Sequence, residues 1–463
     1  MTTFPRRVDV LVIGAGLAGC AAALAAAEAG CSVLQIEKEP HSGGSTVLSA
    51  GLSAFAGTPE QQRQGITDSA ELLRSDILET GLHVSDPALV DAYCREQLAT
   101  YEWFRSYGVR YGTVHAASGQ SVPRSHPSDT RRTLDLLIAA AAERGARLVT
   151  GAAAHRLIRV GERVVAVDVR AGDTVSRVEA GAVVIATGGF SQNPQLLERF
   201  APQMNHAVRA GGAGSTGDGL LLAWQLGAGV IDTPHIKATY GIYPWPHEHE
   251  YGTGVLAVYK GAIAVNQAGR RFTDESLPYK VLGDASLAQN GGHTWQVWDA
   301  DVMERSVDDV PIYDLAGRAA TGLAVRAETL DELARLIGVP AAELTTTVDQ
   351  YNAAIDGDTA DEFGRVHLSG GVGNRCRIAR APFFAHASTA VVLATYCGLT
   401  VTPDSAVLDV FGDPILGLYA AGEVTGGFHG GGYMTGTSIG KAGIFGRIAG
   451  ATAAAAALTE AAA

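Results

Sequence analysis

The sequence predicts an α/β protein in which a discontinuous domain, built on a mainly parallel sheet, is interrupted by an inserted α+β domain. A strand–loop–helix–strand pattern opens the chain, and a glycine-dense segment at 417–443 lies near its end. Between them, residues 228–381 contain fewer glycines and more aromatic side chains. We therefore expect the first domain to comprise 1–227 and 382–463, and the inserted domain to comprise 228–381.

The first forty residues predict a βαβ unit. The apolar run Val8–Ile13 is typical of a buried parallel strand, and the helix Cys20–Ala29 and the strand Ser32–Glu37 follow it. The loop Gly14–Gly19 has the pattern GxGxxG, and Glu37 lies 18 residues beyond its last glycine. Such glycines permit a tight turn, approach of a pyrophosphate and close helix packing, and a distal acid binds ribose hydroxyls. The unit therefore predicts a Rossmann-like dinucleotide site.

Later segments contribute further strands to the first domain and a helix to the inserted domain. Arg147–Thr150, Val164–Val169 and Ala182–Gly189 are typical strands, and the last of them ends in a second turn able to approach the cofactor. Asp218 is expected near the start of a helix. The amphipathic stretch Thr329–Leu336 predicts a helix in the inserted domain, and the chain is expected to re-enter the first domain around Phe383–Thr400.

Composition excludes several classes of function. The 463 residues carry a formal net charge of −13, and no basic stripe suits a nucleic-acid partner. Five cysteines without a CxxC pair favour free thiols in a reducing, cytoplasmic compartment. No signal peptide and no uninterrupted apolar run of membrane-spanning length is evident. The alternation His247-Glu248-His249-Glu250 is interpreted as a solvated run, so no metal site is expected.

The chain resembles the fumarate reductase and succinate dehydrogenase flavoprotein family. The motifs GAGLAG, GGSTVLSAGLSA, ATGGF, STGDG, GAIAVNQAGRRFTDE and GLYAAGEVTGGFHG carry the resemblance over nearly the whole chain. It implies FAD, held without a covalent bond because Ser45 stands where covalent members carry a histidine. The cofactor residues that the motifs and the resemblance imply are Gly14, Gly16, Ala18, Gly19, Glu37, Lys38, Gly43, Gly44, Ser45, Ser49, Ala50, Gly51, Ala153, Thr187, Gly188, Asp218, Gly422, Glu423, Thr437, Ser438 and Ile439.

Three departures from fumarate reductases bear on the substrate. By motif position, their arginine proton donor falls on Tyr279, their carboxylate-binding arginine on Tyr433, and a substrate histidine near Thr395. Without those arginines a dicarboxylate would have few partners, so fumarate is not the expected substrate. Tyrosines in these two places are similar to 3-ketosteroid dehydrogenases, and the stretch around Tyr433 is especially similar to their Δ4-(5α) branch. The Δ1 branch binds the ketone oxygen with a backbone N–H that corresponds to Gly436.

The expected reaction is FAD-dependent desaturation next to a ring ketone. Hydrogen-bond donors polarise the carbonyl, a base removes the α-proton, and the flavin takes the β-hydrogen as hydride. Tyr279 is assigned as the base and Tyr433 with the Gly436 N–H as the carbonyl clamp, and the reverse assignment stays open. Lys260 is one group that could favour the phenolate. Candidate substrate contacts are Tyr240, Tyr396, Arg124 and Thr435.

Three alternatives also stay open. An arginine from the group Arg124, Arg131 and Arg132, with His126 beside them, could reach the pocket, and the substrate would then be a small cyclic keto acid of the 4-oxocyclohexanecarboxylate type. The same half-reaction run backwards would make the protein an ene-reductase. A non-catalytic flavin carrier is the third alternative. Because no second GxGxxG unit occurs, a nicotinamide domain is not expected, and the electron acceptor is left unassigned.

Overall fold

The N-terminal βαβ unit forms as predicted in the computed structural model, which describes residues 3–204, 207–246, 254–308, 310–369 and 373–462. The strand Arg7–Ile13 leads into the helix Leu17–Glu28, and the strand Val33–Ile36 follows. The helix is rich in alanine and leucine, which favour helical backbone, and its residues Leu17–Ala27 are all buried. It is therefore a core helix, enclosed on every side.

The regular elements are numbered in chain order over the described residues. The helices are α1 Leu17–Glu28, α2 Pro59–Arg63, α3 Ala70–Thr80, α4 Pro87–Ser106, α5 Thr130–Glu143, α6 Pro194–Phe200, α7 Asp218–Trp224, α8 Tyr279–Leu287, α9 Ala300–Met303, α10 Leu315–Ala320, α11 Leu330–Ile337, α12 Ala341–Asp356 and α13 Thr437–Ala462. The strands are β1 Arg7–Ile13, β2 Val33–Ile36, β3 Leu52–Ala54, β4 Ser125–Pro127, β5 Arg147–Val149, β6 Ala153–Val160, β7 Arg163–Ala171, β8 Thr174–Ile185, β9 Val208–Arg209, β10 Val230–Ile231, β11 Thr239–Ile242, β12 Ile263–Val265, β13 His293–Trp298, β14 Ala324–Ala327, β15 Phe383–Val392, β16 Gly398–Leu399, β17 Ala406–Leu408 and β18 Pro414–Ala420.

The chain forms two compact units. Unit 1 comprises Met1–Ala201, Ala210–Ile236 and Ala394–Ala463, and unit 2 comprises Pro202–Arg209 and Lys237–Leu393. The main sheet of unit 1 has the strand order β17-β18-β7-β8-β1-β2-β5, with β6 paired to β7. Its centre is parallel, since β1 pairs in parallel with β2 and β8, and β18 pairs in parallel with β8. The carboxyl ends of β1, β2, β8 and β18 therefore meet at one edge, where ligands bind in open α/β sheets.

Unit 2 is an α+β structure built around β15. This strand pairs with β11, β13 and β14 in antiparallel fashion and with β9 in parallel. Its successive side chains alternate between two cores: Ala385 and Ala387 pack with Leu333 and Val348 from the helices α11 and α12, whereas Phe384 packs on the other face. The α/β fold class with an inserted α+β part is confirmed.

The edges of the units differ from the predicted edges at 228 and 381. Residues 228–236 stay in unit 1 because β10 pairs with β16 there. Residues 382–393 belong to unit 2 because β15 is the strand around which its sheet is built. The chain was expected to re-enter the first domain around Phe383–Thr400, and the structure has it re-enter at Ala394. A fully apolar strand fits the centre of either sheet, so the pattern alone does not distinguish them.

The last helix, α13, packs along α1. Cβ atoms at Gly446 and Gly450 would lie 2.4 Å from the carbonyl oxygen of Ala18 and 2.2 Å from that of Ala22, so only glycines allow this approach. Thr437–Glu460 has the length and hydropathy of a membrane span, the single such helix in the described part of the chain. Half of that apolar stretch is buried inside the protein, as expected for a core helix.

Candidate active site

The three glycines after β1 lie in different surroundings. A Cβ at Gly14, whose φ is +110°, would lie 2.3 Å from the carbonyl oxygen of Ala186, and a Cβ at Gly19 would lie 2.1 Å from the carbonyl oxygen of Gly14. At Gly16 a Cβ would meet its nearest neighbour, Thr46 Oγ1, at 3.6 Å, so this side of the loop is less crowded. The helix α1 begins next to it, and Thr46 Oγ1 accepts a hydrogen bond from the Leu17 N–H at 3.1 Å. The loop thus presents a helix N-terminus to an anion.

Glu37 follows β2 and borders the same loop. Its Oε2 accepts a hydrogen bond from the Ala15 N–H at 2.8 Å, and its Oε1 accepts one from the Glu39 N–H at 2.9 Å. The Ala152 N–H donates to the Glu37 carbonyl oxygen at 2.8 Å, which brings the start of β6 at Ala153 beside the acid. Each carboxylate oxygen has a second lone pair to accept a hydroxyl, as ribose binding requires.

Lys38 joins two of the predicted cofactor segments. Its Nζ lies 2.8 Å from Asp218 Oδ2, and the Thr216 hydroxyl accepts a second hydrogen bond from it. Asp218 is the first residue of α7, as predicted. The ion pair is partly exposed, so its contribution to stability is small, and its effect is to fix the loop before α7 next to β2.

The loop at 42–51 contains the position expected for covalent attachment. Ser45 Oγ accepts a hydrogen bond from the Gly212 N–H at 3.0 Å and lies 3.4 Å from Ser215 Oγ. Ser49 Oγ donates to the Thr46 carbonyl oxygen at 2.7 Å. Gly43 is buried, Gly51 is buried, and Gly44, Ser49 and Ala50 are exposed. The loop is held by its own hydrogen bonds and by the Gly212 N–H, and its exposed residues include Leu48 beside Gly44, Ser49 and Ala50.

Glu423 approaches the turn after β8 closely. A Cβ at Gly189 would lie 2.2 Å from Glu423 Oε1, so glycine is required there. The same carboxylate oxygen accepts a hydrogen bond from the Thr395 N–H at 3.0 Å. Thr395, which stands where relatives were expected to carry a substrate histidine, is fully buried. Its contacts are with Glu423 and Phe190, so it supports the acid.

Tyr396, His429 and Tyr433 form an aromatic cluster in unit 1. The ring centroids of Tyr396 and Tyr433 are 5.1 Å apart, those of His429 and Tyr433 are 5.5 Å apart, and those of Tyr396 and His429 are 4.9 Å apart. Tyr396 has a φ of +57°, a backbone conformation that non-glycine residues seldom adopt. Such strain is common at functional sites, and here it accompanies two of the residues singled out from the sequence.

The hydroxyl of Tyr433 lies at the N-terminal turn of α13. Burial raises its pKa, while hydrogen bonds from the Gly436 N–H and from the backbone and side chain of Ser438 act in the opposite direction. The structure places the Gly436 N–H beside the Tyr433 hydroxyl, an arrangement that was not predicted. The Gly436 N–H is bound to the tyrosine oxygen, whereas the prediction had both groups contact the ketone directly.

The rest of the glycine-rich segment packs against the loop between α3 and α4. The Gly431 N–H donates to the Gly81 carbonyl oxygen at 2.9 Å, and the Asp86 N–H donates to the Gly427 carbonyl oxygen at 2.7 Å. Gln120 Nε2 donates to the Thr435 carbonyl oxygen at 2.8 Å. These bonds fix the backbone on both sides of Tyr433, so much of the glycine content serves packing.

The first turn of α13 holds the last predicted cofactor residues. Thr437 Oγ1 donates to the Met434 carbonyl oxygen at 2.6 Å, and Ser438 and Ile439 are half-buried. Gly422, the residue before Glu423, lies against Ala18 of α1, because a Cβ there would be 2.8 Å from the Ala18 Cβ. Both ends of the chain thus contribute to one region of unit 1.

A family model described as an FAD binding domain matches residues 9–439. The chain belongs to the FAD binding domain family. Over 455 residues it is 31% identical to the probable fumarate reductase Ifc3 of Shewanella frigidimarina, a match covering 96% of this chain and 74% of the relative. It is similar to the open conformation of a flavocytochrome c3 fumarate reductase (TM-score 0.83, 29% identity, 98% of this chain and 79% of the other). It is also similar to the 3-ketosteroid-Δ4-(5α)-dehydrogenase from Rhodococcus jostii RHA1 in complex with 4-androstene-3,17-dione (TM-score 0.78, 25% identity, 98% of both chains).

The prediction of an FAD flavoenzyme in the fumarate reductase superfamily is therefore confirmed, as is its class, the oxidoreductases acting on CH–CH bonds. The residues of unit 1 fit FAD. Thr187, at a position assigned to the cofactor, has its Oγ1 enclosed by the protein, where a Cβ at Gly219 would lie 2.3 Å from it. The helix N-terminus beside Gly16 and the carboxylate of Glu37 supply complementary groups for pyrophosphate and ribose.

Arg124 occupies a closed ionic cluster. Its guanidinium is fully buried and forms a bidentate pair with Asp68, at 2.8 and 3.0 Å, and a further bond to Asp76. His126 binds Thr58 Oγ1 and the Arg124 carbonyl oxygen, and burial lowers its pKa. Arg131 donates to the Ser42 carbonyl oxygen. These partners give Arg124 a structural role, and we do not include it among the proposed substrate contacts.

The predicted residues of unit 2 have partners inside that unit. Tyr279 is the first residue of α8, where its N–H binds the hydroxyl of Tyr259, which also donates to the Leu277 carbonyl oxygen at 2.7 Å. Tyr240 is buried, with its hydroxyl 2.9 Å from Thr294 Oγ1, and burial raises its pKa. The Lys260 ammonium lies 4.4 Å from the centroid of the Tyr313 ring. Nothing in this arrangement links Lys260 to a phenolate.

Two further observations complete the description. The described residues contain no group of three or more His, Cys, Asp or Glu able to hold a metal ion, and His247–Glu250 lie outside them. Sequence reasoning did not single out Lys441, a fully buried cation on α13. A lysine within the otherwise apolar run Ile439–Ile444 was the available signal.

Proposed function

We propose that this flavoenzyme desaturates a carbon–carbon bond α,β to a ring ketone, of the 3-ketosteroid type. The observation that carries the proposal is the hydroxyl of Tyr433, which binds the Gly436 N–H at the start of α13. Tyr279 and Tyr433 stand where arginines would pair with a dicarboxylate. The chain thus offers hydrogen-bond donors suited to a neutral carbonyl at these places.

In the proposed reaction Tyr433 donates its proton to the ketone oxygen in a hydrogen bond. A hydroxyl that accepts hydrogen bonds from backbone N–H groups becomes a stronger donor, because the bonds polarise one another. The Gly436 and Ser438 groups behind Tyr433 therefore strengthen the clamp without touching the substrate. Negative charge that develops on the ketone oxygen is stabilised by this donor, which acidifies the α-hydrogen. The rings of Tyr396 and His429 hold Tyr433 in place.

Tyr279 is proposed as the base that removes the α-proton. This role rests on its motif position, and the anchoring of its N–H by Tyr259 gives the start of α8 a fixed backbone. FAD, when bound, supplies the acceptor for the β-hydrogen, which leaves as hydride. The ionisation of Tyr433 is disfavoured by burial, so Tyr433 is better suited to the donor role and Tyr279 to the base role.

The experiment is an anaerobic mixing assay with the holoenzyme. A panel of 3-ketosteroids and cyclic ketones, including a 4-oxocyclohexanecarboxylate, is mixed with oxidised enzyme while the flavin absorbance is followed. We expect a ring ketone to bleach the flavin band, and the Tyr279→Phe and Tyr433→Phe variants to bleach it far more slowly. A panel without bleaching, together with full activity in Tyr279→Phe, is the result that contradicts the proposal.

An ene-reductase is the second candidate, and the relatives favour it. The probable fumarate reductase Ifc3 and the flavocytochrome c3 fumarate reductase are both named as reductases. The same donors would then polarise an enone or enoate, and a tyrosine would give a proton where the base otherwise takes one. Pre-reduced enzyme mixed anaerobically with enones and enoates tests this direction. Faster reoxidation by enones than bleaching by the matching ketones would assign the protein as a reductase.

A further inference from the structure

Lys441 places a positive charge in the interior of unit 1, behind the first turn of α13. Its side chain is buried, with a relative exposure of 3%. Its Nζ donates to the Thr425 carbonyl oxygen at 2.6 Å. The Thr425 N–H and hydroxyl in turn bind the Gly422 carbonyl oxygen. The ammonium is therefore tied to the same short turn that carries Glu423.

The surroundings of Lys441 are mostly apolar. The small cavity beside it has no room for a water molecule, and its lining residues are Leu89, Val401, Ala420, Thr425, Phe428, Lys441 and Phe445. The ring of Phe428 has its centroid 5.9 Å from Nζ. A charge in such a place is not screened by solvent, so it acts over a longer distance than a surface charge.

Three titratable groups interact electrostatically with this ammonium: Asp232, Glu423 and Cys397. Burial lowers the pKa of Lys441 to about 8, and the two carboxylates oppose that shift. Burial raises the pKa of the Cys397 thiol to about 12, so the thiol stays neutral. Asp232 is fixed by the Gly427 N–H, which donates to its Oδ2 at 2.6 Å. Burial raises the pKa of Asp232, and the Gly427 N–H and the ammonium oppose that shift.

We propose that Lys441 sets the reduction potential of the bound FAD by supplying this internal positive charge. The inference rests on the FAD site at Glu423 and at Thr437–Ile439, and it deepens the proposed function because the potential decides between desaturation and reduction. A hydride brings two electrons and one proton to the oxidised cofactor, which gains one negative charge unless a second proton follows. A fixed cation stabilises that charge and raises the potential.

The test compares reduction potentials in the absence of substrate, so a wrong substrate assignment does not affect it. Holo wild type, Lys441→Met and Arg447→Met are titrated anaerobically against a reference dye. Arg447 is the matched control, since it lies on the same helix and pairs with Glu96 nearer the surface. We expect Lys441→Met to favour the oxidised cofactor about tenfold, a shift of about 30 mV to more negative potential for a two-electron couple. Arg447→Met is expected to change the reduction potential far less.

Two further variants keep the test decisive if Lys441→Met loses FAD. Lys441→Arg retains the charge and is expected to keep a wild-type potential, and Asp232→Asn removes a neighbouring negative charge and is expected to raise it. The wild-type potential should also fall more steeply with pH above about 8, where the ammonium loses its proton. Equal potentials in wild type, Lys441→Met and Asp232→Asn would overturn the proposal, as would an Asp232→Asn potential below that of wild type.

Discussion

The backbone N–H of Gly436 donates a hydrogen bond to the hydroxyl oxygen of Tyr433, three residues earlier in the chain. This contact couples the tyrosine to the start of α13. It also changes how the Tyr433 hydroxyl and the Gly436 N–H would bind the ketone oxygen. In the proposed reaction only the Tyr433 hydroxyl binds the ketone, and the Gly436 N–H acts on it from behind.

Replacing Tyr433 by phenylalanine should remove the proposed carbonyl donor and leave the cofactor in place. Loss of one donor to a developing oxyanion lowers kcat by about 10²- to 10³-fold in comparable sites. Steady-state kinetics with the ketone that bleaches the flavin in the mixing assay would measure the loss of kcat. Flavin content is the check on folding. Tyr396→Phe is the control, for which we expect less than a tenfold change. Equal losses in both variants would show that the Tyr396 hydroxyl is as important as that of Tyr433, which contradicts the assignment of Tyr433 as the single donor.

Replacing Gly189 by alanine should expel FAD. The new Cβ would lie 2.2 Å from Glu423 Oε1 and 2.3 Å from Thr395 Oγ1, so the acid or the turn must move. Overpacking of this kind costs about 1–3 kcal/mol of folding free energy. The ratio of flavin to protein absorbance after purification measures occupancy. Gly254→Ala is the control, because a Cβ there meets its nearest atom at 3.5 Å. Full flavin occupancy in Gly189→Ala would contradict the assigned contact.

Replacing Arg124 by glutamine should destabilise the fold strongly. The change leaves Asp68 and Asp76 buried without their cation, and breaking a buried pair costs about 3–5 kcal/mol. Arg177→Gln removes an exposed pair with Asp168, for which we expect little change in stability. Thermal and urea unfolding of the holoenzymes compare the two. A near-normal Tm for Arg124→Gln, together with a large rise in KM for a keto acid, would restore Arg124 as a substrate residue.

The pH dependence of kcat/KM should reflect the raised pKa of Tyr433. The ordinary pKa of a tyrosine is about 10, and burial moves this one upward. The proton is therefore retained at pH values where a free tyrosine ionises, and donor function is lost only as the pH rises through the higher value. We expect no loss of activity assignable to Tyr433 below pH 10. An alkaline decline below that pH, absent from Tyr433→Phe, would show that its pKa is not raised.

Local patterns account for most of what the sequence predicted. The βαβ unit, Glu37 at the end of β2 and Asp218 at the start of α7 each depend on residues close in the chain. The contact between Gly436 and Tyr433 is local as well, but it was not predicted. Phe383–Val392 was expected in the first domain but lies in unit 2. An apolar strand pattern does not indicate which of two sheets the strand joins.

Long-range partners could not be predicted. Arg124 binds carboxylates 56 and 48 residues away, and nothing in the sequence near Arg124 indicates which acids they are. Thr395 binds Glu423, which lies 28 residues further along the chain. From the sequence, Thr395 was compared with a substrate-binding histidine of relatives, whereas in the structure it supports Glu423. Lys441 was overlooked because its neighbours Asp232 and Glu423 come together only in the folded chain.

The close packing of α13 on α1 has an electrostatic consequence. Leu17, Ala18 and Ala22 of α1 lie in turn beside Gly443, Gly446 and Gly450 of α13, so the two helices run in the same direction. Their positive poles therefore lie at the same end and repel each other until a negative charge lies between them. In a protein with a net charge of −13, the N-terminal ends of these two helices thus favour an anion. Emptied of FAD, the protein should bind pyrophosphate there and melt at a higher temperature when it does.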